Sequence, residues 1–353
     1  IIMKHNRLFG ILIAVAMLLV ANMSAMAQEY VLKYVTFLTP GEKGVVAVGM
    51  NNPDPVKVFQ GKILLPEGLT FVTSSTREDR FVISKCERSS KFSIALQKKT
   101  DREAAFLGFT MSDPVNAGSG DILTFEVNVD KNFKGTSEIQ LIKAEINMEG
   151  VAYKPADIKG MVANSADQMF ASSEEVKVKE GVAATVNLNL DFQKEFLRVL
   201  GFDIELPEGL SIVDKSWKVN ADRCPNHVPN VINNFFSILY DDIFGTLEFA
   251  KKDGNVCSFE VIANDKFVDG SEIILKNINA VAKIDGVNTP FYAEDLHVKV
   301  TKAGTATGIN GIEADFAAKA DGIYTISGLK VNQLVKGVNI VVKDGKATKV
   351  VKK

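Results

Sequence analysis

The sequence predicts an all-β protein: two tandem antiparallel β-sandwich (jelly-roll) domains followed by a small C-terminal β-module. Three observations carry this. First, the chain repeats itself. Leu-Pro-Glu-Gly-Leu at residues 65–69 recurs at 206–210. Further matches follow each copy in the same order: Phe125-Glu126-Val127 against Phe259-Glu260-Val261, and Ser137-Glu138-Ile139 with Leu141 against Ser271-Glu272-Ile273 with Leu275. Ordered recurrence over this length is the mark of a duplicated domain. Second, the runs alternate. Leu200, Phe202, Ile204 and Leu206 interleave with Gly201, Asp203 and Glu205, and Phe59, Gly61, Ile63 and Leu65 keep the same phase. A period of two with one wet face is the pattern of an antiparallel strand. Third, turn-forming clusters punctuate the runs, at residues 51–55, 66–68, 116–120 and 253–255.

Taken in order, residues 1–27 read as a secretory signal peptide. Lys4, His5 and Arg7 precede an apolar run at 8–20, and Ala25-Met26-Ala27 offers a cleavage site just before Gln28. The run is short for a membrane span, and no later segment is apolar enough to cross, so the mature chain is expected to be exported with no membrane span. Residues 28–163 form the first sandwich and 172–301 the second, each of eight or nine strands, with the polar stretch 164–175 between them. At about 135 residues each copy can bury a sufficient core without staples. A small, flexible break at 303–308 precedes the module at 309–353, whose runs 322–331 and 336–342 read as short strands joined by Ser-Gly and Asp-Gly turns. Residues 301–353 hold nine lysines against four acidic residues, so this tail is basic.

The three cysteines, Cys86, Cys224 and Cys257, are too few for a disulfide framework. Cys257 aligns with Leu123 of the first copy, which suits a small core residue; a bridge to Cys224 is the other reading. A formal charge of −2 argues against a nucleic-acid binder driven by phosphate neutralisation.

Catalytic chemistry finds little to work with, and no cofactor is expected. Past residue 27 the histidines are His227 and His297, far apart, and His297 aligns with Lys159 on a wet strand face. No nucleophile elbow, HExxH or Cys-His spacing occurs, zinc lacks spaced ligands, and Asp241, Asp242, Asp253 and Asn255 lack EF-hand spacing. The segment 215–242 differs most between the copies. It places Trp217, Arg223, His227 and Tyr240 close together as candidate ligand-binding residues, because aromatic rings stack on sugars and anchor protein partners. The competing reading has Trp217, Phe235 and Phe236 filling the sandwich, with Arg223 and His227 as ordinary loop residues.

The order of an alternating strand ending in Leu-Pro-Glu-Gly-Leu, a polar stretch with Arg88-Ser89-Ser90 or Arg223-Cys224-Pro225-Asn226-His227, a short apolar strand, a glycine loop and the Phe-Glu-Val strand resembles cohesin-like domains of secreted Bacteroidetes proteins. The resemblance covers residues 29–163 and 172–301. That family shares its jelly roll with carbohydrate-binding modules. The copies depart from each other at Lys91-Phe92 against Asn226-His227. In the tail, Ile323-Tyr324-Thr325-Ile326-Ser327-Gly328 and Lys336-Gly337-Val338 with a lysine-rich end resemble C-terminal modules read as sorting signals for a type IX-like secretion route, with Asn339 where an aromatic is common. The resemblance implies a non-catalytic binding or scaffold protein at or beyond the cell surface, or in the periplasm. Its partner would be a dockerin-like or cell-surface protein. The alternative is a polysaccharide held on the aromatic segment of the second copy, against which the low tryptophan and tyrosine count speaks mildly.

Overall fold

The computed structural model describes residues 28–148, 150–240, 248–303, 322–325, 330–343 and 346–352. The expected signal segment, the Asp241-Asp242 pair, most of the break at 303–308 and the Ser-Gly and Asp-Gly turns of the tail lie outside the described residues.

The first copy is built from β1 (Glu29–Leu32), β2 (Val35–Leu38), β3 (Lys43–Asn51), β4 (Val58–Leu64), β5 (Leu69–Phe71), β6 (Ile83–Lys85), β7 (Ser93–Lys98), β8 (Glu103–Phe109), β9 (Asp121–Val129), β10 (Thr136–Met148), β11 (Val151–Tyr153) and β12 (Ile158–Asn164). A five-stranded sheet runs β1-β3-β9-β5 with β6 also on β9, and a seven-stranded sheet runs β2-β12-β10-β4-β8-β7 with β11 on β10. The second copy repeats the plan with β13 (Phe170–Ser172), β14 (Val176–Val178), β15 (Ala183–Asp191), β16 (Leu197–Glu205), β17 (Leu210–Ile212), β18 (Lys218–Val219), β19 (His227–Ile232), β20 (Phe235–Tyr240), β21 (Asn255–Ala263), β22 (Glu272–Ile284), β23 (Val287–Tyr292) and β24 (Leu296–Lys302). Its sheets run β13-β15-β21-β17 with β18 on β21, and β14-β24-β22-β16-β20-β19 with β23 on β22.

Each copy thus has more strands than the eight or nine expected. The excess comes from corners. Near Lys33-Tyr34 the chain leaves one sheet for the other, so one apolar run becomes β1 and β2, the latter parallel to β12. The second copy also starts two residues before position 172: β13 pairs with β15, and Met169 before it is fully buried. The polar stretch between the copies shrinks to a 3-10 turn at Ser165–Asp167.

The repeated strings now have physical reasons. In Leu-Pro-Glu-Gly-Leu the flanking Leu65 and Leu69 are buried, while Gly68 and Gly209 adopt φ of 86° and 80°. A side chain at Gly209 would also strike the backbone of Phe267. Phe125 and Val127, like Phe259 and Val261, point into the core, and Glu126 and Glu260 point away. The repeated aspartates pin a bulge. Asp157 Oδ1 accepts from the Lys143 amide at 2.9 Å and Asp295 Oδ1 from the Asn277 amide at 3.1 Å, where each 13-residue strand kinks through positive φ.

Between the sandwiches lies a small apolar contact of Val35, Ala163 and Tyr292, flanked by Tyr34, Phe37 and Met161. Tyr34 meets Tyr292 edge-on, ring centroids 5.6 Å apart. Ion pairs Lys33–Glu294 and Lys194–Asp167 and a bond from the Met169 amide to the Tyr292 carbonyl complete the junction.

The tail, by itself, is a four-stranded sheet in the order β26 (Lys330–Val331), β25 (Gly322–Thr325), β27 (Gly337–Lys343), β28 (Lys346–Lys352). Tyr324, Asn339 and Val342 are buried. Asn339 ties down the preceding turn: Nδ2 donates to the Val335 carbonyl at 2.7 Å and Oδ1 accepts from its amide at 3.0 Å.

Candidate functional site

The segment 215–242 delivers its candidate residues mainly inward. Arg223, 2 % exposed, donates to four backbone carbonyls: Leu190 at 2.6 Å, Lys252 at 3.1 Å, Lys251 at 3.2 Å, and Gly254. Burial pushes its pKa down from the usual value. In the first copy Arg88 does the same work, donating to Met50 at 2.7 Å, Gly120 at 2.8 Å, Gly118 at 2.9 Å and Asn116 at 3.2 Å, with Asn52 Oδ1 at 2.6 Å. Met50 and Leu190 hold the same place on β3 and β15, and Gly120 and Gly254 each precede the next long strand. The guanidinium is therefore a clamp that gathers carbonyls of the strand end and the facing loop, several of which also accept a backbone amide across the same gap. The recurrence of arginine in the aligned stretch was the sequence signal for this shared structural role.

His227, 7 % exposed, holds the Pro225 carbonyl at Nδ1 (2.8 Å) and the Arg198 carbonyl at Nε2 (2.9 Å), and stands edge-on to Phe249 at 5.0 Å. Phe92 takes this place in the first copy, stacked on Phe59 at 5.1 Å. Trp217 is half-buried, stacked on Phe236 at 4.3 Å and tilted against Phe259 at 4.4 Å. Tyr240 is half-buried, with the Arg198 guanidinium 5.9 Å from its ring centre. The four residues do not form one cluster: His227 and Tyr240 pair across β19 and β20, Arg223 lies at the Leu190 and Gly254 carbonyls, and Trp217 lies over Phe236 and Phe259. The polar atoms of Arg223 and His227 and the rings of Trp217 and Tyr240 are engaged with the protein itself, which supports the packing reading of this segment.

The cysteines are free thiols. Cys257 is fully buried on β21, and Cys224 occupies the position of Ser89 in the first copy; burial pushes the Cys224 thiol up to about 12. His297 pairs with Glu272 on the surface at 2.7 Å, as Lys159 does with Glu138. Among the described residues, no group of three or more His, Cys, Asp or Glu side chains is placed to hold a metal ion.

A surface that sequence reasoning missed lies on the first copy. On β8, Ala104, Phe106 and Gly108 face the core, so Leu107 and Phe109 face outward, 42 % and 41 % exposed, and Met111 follows at 94 %. The register places Ala95 and Gln60 beside Leu107, and Ser93 and Val58 beside Phe109. The outer face of the seven-stranded sheet thus carries an apolar row on β8, flanked by Ala95 and Ser93 on β7 and by Gln60 and Val58 on β4. The signal was present: the run from Ala104 to Met111 is apolar in both phases, where a strand with one wet face alternates. In the second copy Ser237 and Leu239 stand in place of Leu107 and Phe109, and exposed apolar residues move to the edge strand β19, at Val228, Val231 and Ile232.

No protein-family model matches the chain. Among solved structures it is similar to the type II cohesin dyad from the adaptor ScaA scaffoldin of Acetivibrio cellulolyticus, at 10% identity over 78% of this chain and 98% of that one, TM-score 0.42. It is also similar to the non-cellulosomal cohesin of Archaeoglobus fulgidus, 16% identical over 39% of this chain and 90% of that one, TM-score 0.32. The seventh ScaB type I cohesin of Pseudobacteroides cellulosolvens matches at 15% over 40% and 96%, TM-score 0.34. These structural neighbours are cohesin domains, and no residue role is carried over from them.

Proposed function

We propose that this chain is an exported, non-catalytic scaffold that recognises a protein partner through the outer sheet face of its first sandwich. The observation that carries this reading is the row of exposed apolar residues, Leu107 and Phe109 on β8 with Met111 just beyond it, on the outer face of a hydrogen-bonded sheet. Contiguous exposed apolar residues mark interaction surfaces, and aromatic and methionine side chains are enriched there. The sheet holds the strip rigid, which lowers the ordering cost of docking. The resemblance in the sequence suggests a dockerin-like or cell-surface partner. Export through residues 1–27, cleavage after Ala27, location at the cell surface or in the periplasm, and a sorting role for the tail belong to the same reading. The glycan alternative drew on Trp217, whose ring is stacked within the second sandwich.

The test uses the full mature chain as bait in extracts of the producing cells, beside a panel of polysaccharides. The expected result is a saturable protein partner whose affinity falls at least about tenfold, the scale of a central contact residue, in Leu107→Glu and Phe109→Glu variants that remain folded. A partner indifferent to both substitutions, or retention on a polysaccharide alone, would sink the reading.

A further inference from the structure

Among the described residues three buried side-chain atoms have no hydrogen-bond partner, and two of them are the amide oxygen and nitrogen of Gln28. This residue is 4 % exposed. It immediately precedes β1, in phase with the inward Tyr30 two residues on, whose hydroxyl donates to the Gln60 and Glu145 carbonyls at 3.1 and 3.2 Å. A primary amide brings two donors and an acceptor, and protein interiors rarely leave such groups unmet. The second copy shows what the position asks for. Glu29 pairs with Asn51 as Phe170 pairs with Asp191, so the counterpart of Gln28 is Met169, apolar and fully buried in the core. A glutamine side chain is a poor occupant of this place.

We propose that Gln28 is a modification site: once cleavage after Ala27 frees its α-amine, it closes to pyroglutamate, and the lactam is the group the sandwich packs. The inference rests on the reading of residues 1–27 as a removed signal peptide. In the step the neutral α-amine attacks Cδ of the same residue. A bond forms between that nitrogen and Cδ, the Cδ–Nε2 bond breaks, a proton passes from the attacking to the departing nitrogen, and ammonia leaves. Nothing is oxidised or reduced. Amine and carbonyl belong to one residue, so the reaction is intramolecular and ring closure needs no second reactant. Two burdens disappear together: the unmet NH2 donors of the side chain, and the α-ammonium charge that would stand beside a buried strand end. Because the folded sandwich buries the amide, closure belongs to the stage before β1 docks.

The experiment exports the full chain through its own leader, digests the mature protein and weighs its N-terminal peptide. A synthetic linear peptide of the same sequence goes through the same handling to report closure during work-up. The expected result is a peptide that starts at residue 28, is lighter by one ammonia than the linear sequence and resists stepwise degradation from the amino end, while the control stays linear. A linear glutamine with a free amine at position 28 overturns this proposal and leaves the cleavage reading standing. A mature chain that starts anywhere else overturns both.

Discussion

Asp203 shows at the scale of one residue how the second copy trades stability for position. It faces outward on β16 near the junction, partly buried, and burial raises its carboxyl above the usual range; a bond from Asn277 Nδ2 at 2.7 Å and the nearby Lys276 oppose this, while Asp295 adds to it. A raised carboxylate pKa means the fold prefers the protonated form. The favourable contribution is present below the unfolded value, about 4 for an aspartate, and is lost as pH rises through the folded value. Asp203→Asn keeps an oxygen for Asn277 and removes the charge. It is expected to raise the urea midpoint relative to the natural chain at pH 7, with the gain fading in acid. An equal gain at both pH values would show that the charge is not the cause.

At the scale of the element, β8 joins the core to the proposed recognition strip. A side chain at Gly108 would overlap the Phe59 ring at 2.2 Å, and that ring is held by its stack on Phe92. Gly108→Ala is therefore expected to cost about 1–3 kcal/mol, the range of core overpacking, read as a lowered denaturant midpoint. Much of this layer was legible in the sequence. Alternation placed Phe59, Ile63, Phe202 and Ile204, and the repeated Pro-Glu-Gly marked a turn that needs positive φ. Two things were not. The change of sheet at Lys33-Tyr34 is made by backbone geometry inside an apolar run, which periodicity cannot register. The inward course of Arg223 and His227 depends on carbonyls from distant strands, Leu190 and Arg198, that no local pattern brings together. The site candidates were chosen for their chemistry, and that chemistry is directed at the backbone.

At the scale of the molecule, the junction decides whether the two sandwiches act as one body or as tethered beads. The apolar contact is small, centred on Val35, Ala163 and Tyr292. An edge-on aromatic pair contributes about 0.5–1.5 kcal/mol, so Tyr34 is a large part of what holds it. A chain with Tyr34→Ala and Lys33→Ala is expected to keep both sandwiches folded while its small-angle X-ray scattering shifts toward that of two loosely linked particles. An unchanged profile would assign the coupling to the chain connection and the Met169–Tyr292 backbone bond instead. A fixed junction sets the distance between the strip on the first copy and the edge strand of the second. That distance would then select which paired partners can engage both at once.

The shared strand order of the two copies also bears on how the chain reaches its native state. Neighbouring domains of one topology are prone to misassembly, since a strand of one can insert into the sheet of the other. Here the inward positions have diverged: Phe92 is matched by His227, Ser89 by Cys224, and Ile83 by Trp217. A swapped β19 would bring an imidazole to the Phe59 ring in place of Phe92, and a swapped β7 carrying Phe92 before it would leave the Arg198 carbonyl without the His227 ring. Divergence at these inward positions thus makes wrong pairings costly, while the repeated turns and strands keep the two halves alike in plan.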